Sequence, residues 1–411
     1  MAGNAAKQAL LEGRGVHLRI MVAIGALYVG FGVMVGLLQG GLPPILRARG
    51  MPMDQIAWTF SLYLPIGLSF LWAPLVDRIS LPFLSPRIGW IVLSQLVVVA
   101  GLGVVAGSEH AALSLLFTWG LLIAVAVATM DLALDALAVE MTSEARKPMA
   151  ASLKLAALAT GSMLGGGVLV AVLERWGWGT TFTVVAVCML LSLLPVLGLV
   201  HQERHLNSMR APVMQTRWFA CLYQPKMRKC LALLVVCAGI IFPLSALNRV
   251  MLVDVGLSME RIGWLVGTLQ PLGLLAVSVL ATLLIRGLGH QKTLLWMALT
   301  GGLCVVFLMI GYSFKLQTLA VVGTVGMSTV VGGLMVVYAA LILAWSQGPQ
   351  AATNYAVLFC ATRLAGIVTS VLAGKLVAVI EWQAFYALGL MALLISTVWM
   401  LNSLRHMRFD A

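Results

Sequence analysis

Residues 111–138 read AALSLLFTWGLLIAVAVATMDLALDALA. No Asp, Glu, Lys or Arg interrupts this run before Asp131. A helix needs about 20 apolar residues to cross a bilayer, so the run is long enough to do so. Its apolar residues form one block, whereas the strands of a membrane barrel alternate between apolar and polar residues. The stretch therefore predicts a membrane-spanning helix that carries two carboxylates near one end.

The composition of the whole chain extends this prediction. Of the 411 residues, 61% are hydrophobic and 10% are charged, whereas about a quarter of the residues of a soluble domain are charged. This balance excludes a soluble globular protein, a disordered chain and a disulfide scaffold. The formal net charge is +12, which we interpret as a topology signal rather than as a nucleic-acid surface.

Apolar blocks of spanning length occur throughout the chain. They predict an all-α polytopic membrane protein with twelve transmembrane helices. The predicted spans are residues 20–44, 55–76, 88–107, 111–138, 150–173, 180–200, 231–252, 262–284, 293–313, 317–344, 353–377 and 384–402.

Basic residues fix the predicted orientation, because cytoplasmic loops are enriched in Lys and Arg. With the N-terminus inside, 17 of the 26 basic residues fall in cytoplasmic segments and 5 in periplasmic loops. This bias predicts an even number of spans and two cytoplasmic termini. The domain prediction is a six-helix half at 1–200, a cytoplasmic linker at 201–230 and a second six-helix half at 231–411, a layout typical of secondary transporters.

Asp131 and Asp135 lie four residues apart, so they share one face of the fourth predicted span. Helical rise places Asp131 about 14 Å and Asp135 about 8 Å from the cytoplasmic end. Two close carboxylates in a medium of low polarity cannot both ionise cheaply, which suits proton coupling. The alternative is an ion-pair network at a cytoplasmic gate, with Lys154 or Arg146 as the partner.

Arg363 lies about 17 Å into the eleventh predicted span by helical rise. Because arginine keeps its proton, this guanidinium must meet an anion. Either it binds an anionic substrate, or it pairs with Asp131 or Asp135 across the two halves.

Other polar residues lie in or beside the predicted spans of the C-terminal half. Each could line a substrate cavity or make a hydrogen bond between helices. For Arg249 and Lys375 we expect snorkelling to the membrane surface, with substrate entry as the alternative. The candidate substrate-binding residues are Arg363, Tyr355, Asn354, Gln270, Arg249, Asn248 and Tyr338.

Asp77 and Arg78 end the second predicted span. An acidic and a basic residue at a cytoplasmic helix end can lock a gate, or they can be solvated loop charges. The glycine-rich run 161–167 predicts close helix packing in the fifth span.

The whole chain resembles a twelve-helix major facilitator transporter, in which Asp77-Arg78 occupies the signature loop between helices two and three. The runs 71–78 and 131–135, with Gly89-Trp90 and Gln95, are similar to one branch. That branch contains muropeptide permeases, acetyl-coenzyme A transporters and siderophore permeases of the rhizobactin/pyochelin type (RhtX/FptX). The loop reads Ser85-Pro86-Arg87-Ile88 where relatives carry more arginines.

The resemblance implies a secondary active transporter of the bacterial inner membrane. Within this branch, muropeptide permeases carry two further helices and acetyl-coenzyme A transporters are longer, so twelve spans favour the siderophore permeases. That resemblance implies proton-coupled uptake of an iron–siderophore by a monomeric transporter. The alternative is a muropeptide permease, or a transporter of another anionic metabolite. Asp131, Asp135, Asp77 and Arg78 are the candidates for proton coupling and gating.

An intramembrane prenyltransferase is a further hypothesis, because Asp131 and Asp135 have the spacing of magnesium-binding aspartates. No second acidic pair occurs in any predicted span, and such enzymes need one to hold a diphosphate. We therefore expect no enzyme activity, no metal site and no cofactor.

Overall fold

A computed structural model of the chain describes residues 14–79, 81, 84–142, 146–207, 225–346 and 351–406. All regular structure in these residues is helical, which confirms the all-α prediction for them. The helices are α1 Arg14–Gly36, α2 Leu42–Ala48, α3 Met53–Ala57, α4 Leu64–Leu68, α5 Ala73–Arg78, α6 Pro86–Ala106, α7 Leu113–Met141, α8 Lys147–Met163, α9 Leu169–Trp176, α10 Trp178–Ser192, α11 Leu194–Leu197, α12 Val200–Asn207, α13 Pro225–Ile241, α14 Pro243–Ala246, α15 Asn248–Asp254, α16 Met259–Arg261, α17 Gly267–Ser313, α18 Gln317–Trp345 and α19 Ala351–His406.

Nine helical segments in the described part of the chain are long and apolar enough to cross a membrane, where the sequence predicted twelve spans. Two pairs of predicted spans lie within single segments, α17 and α19. Each of these helices contains one non-helical residue, Gly289 with φ 80° in α17 and Glu381 with φ 62° in α19. These positive φ values bend the chain where the sequence placed a loop.

The second predicted span, 55–76, falls on short helices instead of a continuous one. Turns of 3-10 helix at Trp58–Tyr63 and Ser69–Leu71 separate α3, α4 and α5. Pro65 and Pro74 contribute to these breaks, because proline has no N–H to donate and its ring crowds the preceding turn.

The chain divides into two compact units, and residues 1–38 and 68–214 form the first. Within it, α1 packs on α8, and α6 packs on both α7 and α10. The predicted close packing of the glycine run is confirmed at the α1–α8 contact. A side chain at Gly161 in α8 would meet the backbone carbonyl of Val29, and one at Gly165, in the π-helical turn Leu164–Val168 that follows α8, would meet that of Val33.

Residues 39–67 and 215–411 form the second unit. There α17 packs on α18 and α19, α13 packs on α19, and α3 also contacts α19. Residues 208–224 of the predicted linker lie outside the described residues. The domain boundaries at 200 and 231 stay predictions.

Candidate functional site

Asp135 accepts two hydrogen bonds at the same carboxylate oxygen in the first unit. The Tyr28 hydroxyl donates to Oδ1 over 2.5 Å, and the Lys154 ammonium lies 2.5 Å from it. The same ammonium lies 5.0 Å from the centre of the Tyr28 ring. The predicted ion pair between Asp135 and Lys154 is therefore present. Tyr28 was not predicted, because a single tyrosine in an apolar helix gives no signal of its partner.

Asp131 lies one helical turn before Asp135 on α7 and is half-buried. It lies close enough to Tyr28 to act electrostatically on the hydroxyl group. Tyr28, Asp131, Asp135 and Lys154 thus form one polar cluster, which we call the aspartate cluster. A proton that binds to either carboxylate would remove a negative charge beside Lys154 and Tyr28. The role of Asp131 and Asp135 in proton coupling stays a prediction.

The backbone of Asp77 and Arg78 closes α5, but their side chains lie outside the described part of the structure. Their gating role therefore stays a prediction. Arg87, a few residues later, is 2% exposed. It donates to Glu140 Oε1 over 3.2 and 3.3 Å and to the Val76 carbonyl over 3.2 Å. Arg87 thereby joins the ends of α5, α6 and α7.

Glu203 caps the first turn of α6 from α12 and is itself 2% exposed. Its carboxylate accepts from the Ser85 hydroxyl, from the Arg87 backbone N–H over 2.6 Å and from the Ile88 N–H over 3.1 Å. The first N–H groups of a helix have no partner within it and attract negative charge. Glu203 satisfies two of them, an arrangement that the sequence reading missed.

Arg249 in the second unit is 7% exposed, so the expectation that it snorkels is wrong. Its Nε and NH2 groups donate to Gln270 Oε1 over 3.0 and 2.6 Å, and NH1 donates to the Gly40 carbonyl over 2.9 Å. The first five residues of α15 are all buried, which turns the side chain inward. Gln270 in turn donates to Ser328 over 2.7 Å. Two of the predicted substrate-binding residues, Arg249 and Gln270, are therefore in direct contact.

Arg363 is half-buried in α19. Among the described residues of its own unit, no carboxylate forms an ion pair with it. Arg363 and Arg249 both lie close enough to Tyr63 to act on its hydroxyl group electrostatically. Tyr63 therefore lies near two of the predicted residues, although its place in a predicted apolar span gave no reason to select it. The pairing of Arg363 with Asp131 or Asp135 stays a prediction.

The remaining candidates are spread over the second unit. Asn248 accepts a hydrogen bond of 2.8 Å from the Tyr386 hydroxyl, and both residues are fully buried, which matches the helix–helix interpretation. Tyr355 stacks on Phe359 with ring centres 5.7 Å apart. Asn354 and Tyr338 are buried. Lys375 is exposed, with its ammonium 4.0 Å from the centre of the Trp58 ring.

Asp254 forms a further cluster in the second unit that the sequence did not indicate. It accepts from Arg47 Nε over 2.6 Å, from Arg47 NH2 over 3.2 Å and from Trp382 Nε1 over 2.7 Å. This carboxylate therefore joins α2, α15 and α19.

Comparison with known families decides the class of the chain. Residues 22–248 match the family described as Major Facilitator Superfamily. The chain belongs to the major facilitator superfamily. Members of this superfamily are transporters rather than enzymes, which confirms the prediction that the chain is not an enzyme. Membership also makes the chain a multi-pass membrane protein.

Three curated relatives place the chain within the superfamily only distantly. It is 29% identical to an uncharacterized protein of Haemophilus influenzae over 46% of either chain. It is 24% identical to the anhydromuropeptide permease of Escherichia coli K12 over 39% of this chain and 33% of the permease. It is 21% identical to the putative transporter AmpG 4 of Rickettsia conorii over 83% of this chain and 86% of that protein. The chain thus spans less than half the length of the first two.

Proposed function

We propose that this chain is a secondary active transporter of the bacterial inner membrane that moves a small anionic solute together with an ion. The match of residues 22–248 to the superfamily carries this proposal. The two relatives named as a permease and as a putative transporter support it, and both come from bacteria.

The superfamily implies twelve helices in two six-helix halves, and the helix pattern is compatible with that number. Nine segments of the described chain can span a membrane. Two of them, α17 and α19, are each interrupted once and are long enough for two crossings. The short helices between residues 53 and 78 cover the remaining predicted span.

An anhydromuropeptide is the first substrate class to test, because a named relative is an anhydromuropeptide permease. The iron–siderophore prediction depended on the short chain. The match covers 83% of this chain and 86% of the Rickettsia putative transporter, so the two proteins have similar lengths. A short chain therefore does not single out the siderophore branch. Ferric siderophore stays in the test as the competing substrate.

Protons are the coupling ion in this proposal, and the aspartate cluster is the place where they act. Protonation of Asp135 removes the negative charge that holds Lys154 at 2.5 Å, so the ion pair weakens when a proton binds. A charge that crosses a potential of 100 mV gains about 2.3 kcal/mol, which is enough to drive accumulation.

Uptake into proteoliposomes tests the proposal. The purified chain is reconstituted, and entry of a labelled anhydromuropeptide and of a labelled ferric siderophore is followed with and without an imposed pH gradient. We expect gradient-dependent accumulation of the anhydromuropeptide that unlabelled muropeptide competes away. Accumulation of ferric siderophore alone would favour the competing substrate, and entry of neither above that into protein-free liposomes would contradict the proposal.

A further inference from the structure

Arg363 carries a charge that no described carboxylate of the second unit compensates. A guanidinium inside a membrane span remains protonated and is stable only beside an anion or water. No described carboxylate of its unit pairs with Arg363. The group is half-buried and therefore reachable. An anion that arrives from outside the protein can fill this role.

A second guanidinium lies in the same neighbourhood and has a fixed orientation. Arg249 is held by the Gln270 side-chain oxygen and the Gly40 carbonyl. A Cβ atom at Gly40 would collide with the Arg249 guanidinium, so the glycine allows this close approach. The turn Trp58–Tyr63 packs on α19, the helix that carries Arg363, and both guanidinium groups lie close enough to Tyr63 to act electrostatically on its hydroxyl.

The chemistry of these side chains selects one kind of ligand. The planar guanidinium binds a carboxylate through two parallel hydrogen bonds, and a phenol hydroxyl can add a third donor. We propose that Arg363, with Tyr63 and Arg249 beside it, binds a carboxylate group of the transported substrate. We call these three residues the two-arginine site. The inference rests on the proposed function and adds the substrate group that the second unit recognises.

Binding to the purified full chain in detergent tests this inference. The probes are an anhydromuropeptide as the free acid, the same molecule with its carboxyl groups converted to primary amides, and citrate. We expect the acid to bind at least about tenfold more tightly than the amide, because hydrogen bonds to charged groups are the stronger ones.

Variants assign this preference to a residue. Arg363→Gln is expected to weaken binding of the acid about 10- to 100-fold and to leave binding of the amide unchanged. Arg363→Lys keeps the charge but cannot make two parallel hydrogen bonds to a carboxylate. Its affinity for the acid should therefore lie between those of the wild type and of Arg363→Gln. Arg261→Gln is the control, because Arg261 is exposed and contacts Gln317. If Arg363→Gln fails to fold, Arg363→Lys and Tyr63→Phe are tested instead. We expect Tyr63→Phe to bind the acid about threefold more weakly than the wild type.

Three outcomes overturn the inference: equal binding of acid and amide, equal binding of the acid by the wild type and the folded Arg363 variants, or no binding of either free acid by the wild type. The proposed function can fail separately. Binding of a carboxylate that depends on Arg363, without gradient-dependent uptake in proteoliposomes, supports the two-arginine site and contradicts the transport proposal.

Discussion

The Lys154 Nζ atom lies 2.5 Å from Asp135 Oδ1, and the two side chains are 30% and 47% exposed. An ion pair this open contributes roughly 0–1 kcal/mol to stability. The pair is therefore too weak to explain by itself why a carboxylate on α7 and an ammonium on α8 lie within membrane-spanning segments.

Asp135→Asn and Lys154→Met should each lower the free energy of unfolding by no more than about 1 kcal/mol. The double variant should show a coupling of similar size, measured by denaturation in SDS. Gradient-driven uptake should nevertheless fall at least about tenfold in Asp135→Asn, since the amide cannot take up a proton. Asp54→Asn, an exposed carboxylate, serves as the control. Wild-type uptake by Asp135→Asn would remove this residue from the coupling mechanism.

Replacement of Asp254 should destabilise the second unit. Asp254→Ala leaves Arg47 and Trp382 without the carboxylate that they share, so we expect a loss of about 1.5–3 kcal/mol in the free energy of unfolding. Asp254→Asn keeps one acceptor oxygen and should lose less. Thermal unfolding of both proteins beside Asp54→Asn measures the difference, and equal midpoints for all three would contradict the prediction.

The carboxylate of Glu203 should be needed to hold α6 in place. In the wild type, the Arg87 and Ile88 N–H groups donate to the two oxygens of the Glu203 carboxylate. Glu203→Gln replaces one of these oxygens by an NH2 group, which is a donor and cannot accept a hydrogen bond. The buried mismatch should lower the free energy of unfolding by about 1.5–3 kcal/mol. Glu174→Gln, at an exposed position, should leave it unchanged. Hydrogen exchange of the Arg87 and Ile88 amides gives a local measure, and we expect it to accelerate only in Glu203→Gln.

The α1–α8 contact should not tolerate a methyl group. Gly161→Ala places Cβ against the Val29 backbone, so the two helices must separate, which typically costs about 1–3 kcal/mol. Gly103→Ala is the matched control, because no atom lies within 4 Å of a Cβ there. We expect a lower unfolding midpoint for the first variant and an unchanged or higher one for the second. The reverse order would show that the glycines are not needed for packing.

Composition and hydrophobic blocks were enough to predict the helical class, because in a membrane the backbone can be satisfied only within helices or closed barrels. The Asp135–Lys154 pair could also be predicted from the sequence, since both charges lie on apolar helices and need partners. The broken segment at 53–78 could not be predicted, because the length of an apolar block does not show how two prolines divide a span.

The errors at the polar sites have a common physical origin. Arg249 binds a carbonyl 209 residues away, and Glu203 caps backbone groups more than a hundred residues earlier. A sequence gives the depth of a residue along its own helix, but not which distant group its side chain will face. Arg249 was therefore placed at the membrane surface although it is buried.

The contact between Arg249 and the Gly40 carbonyl has a consequence for how this protein can vary. The π-helical turn Leu37–Gly41 lies in a segment of membrane-spanning length, where water cannot hydrate an exposed carbonyl. The Arg249 guanidinium donates the hydrogen bond that water would otherwise supply to the Gly40 carbonyl. Because residue 40 has no side chain, the guanidinium has room to approach. Positions 40 and 249 should therefore change as a pair. In a randomised library selected for surface expression, clones with a larger residue at 40 should mostly carry a smaller partner at 249, although more than two hundred residues separate the two codons.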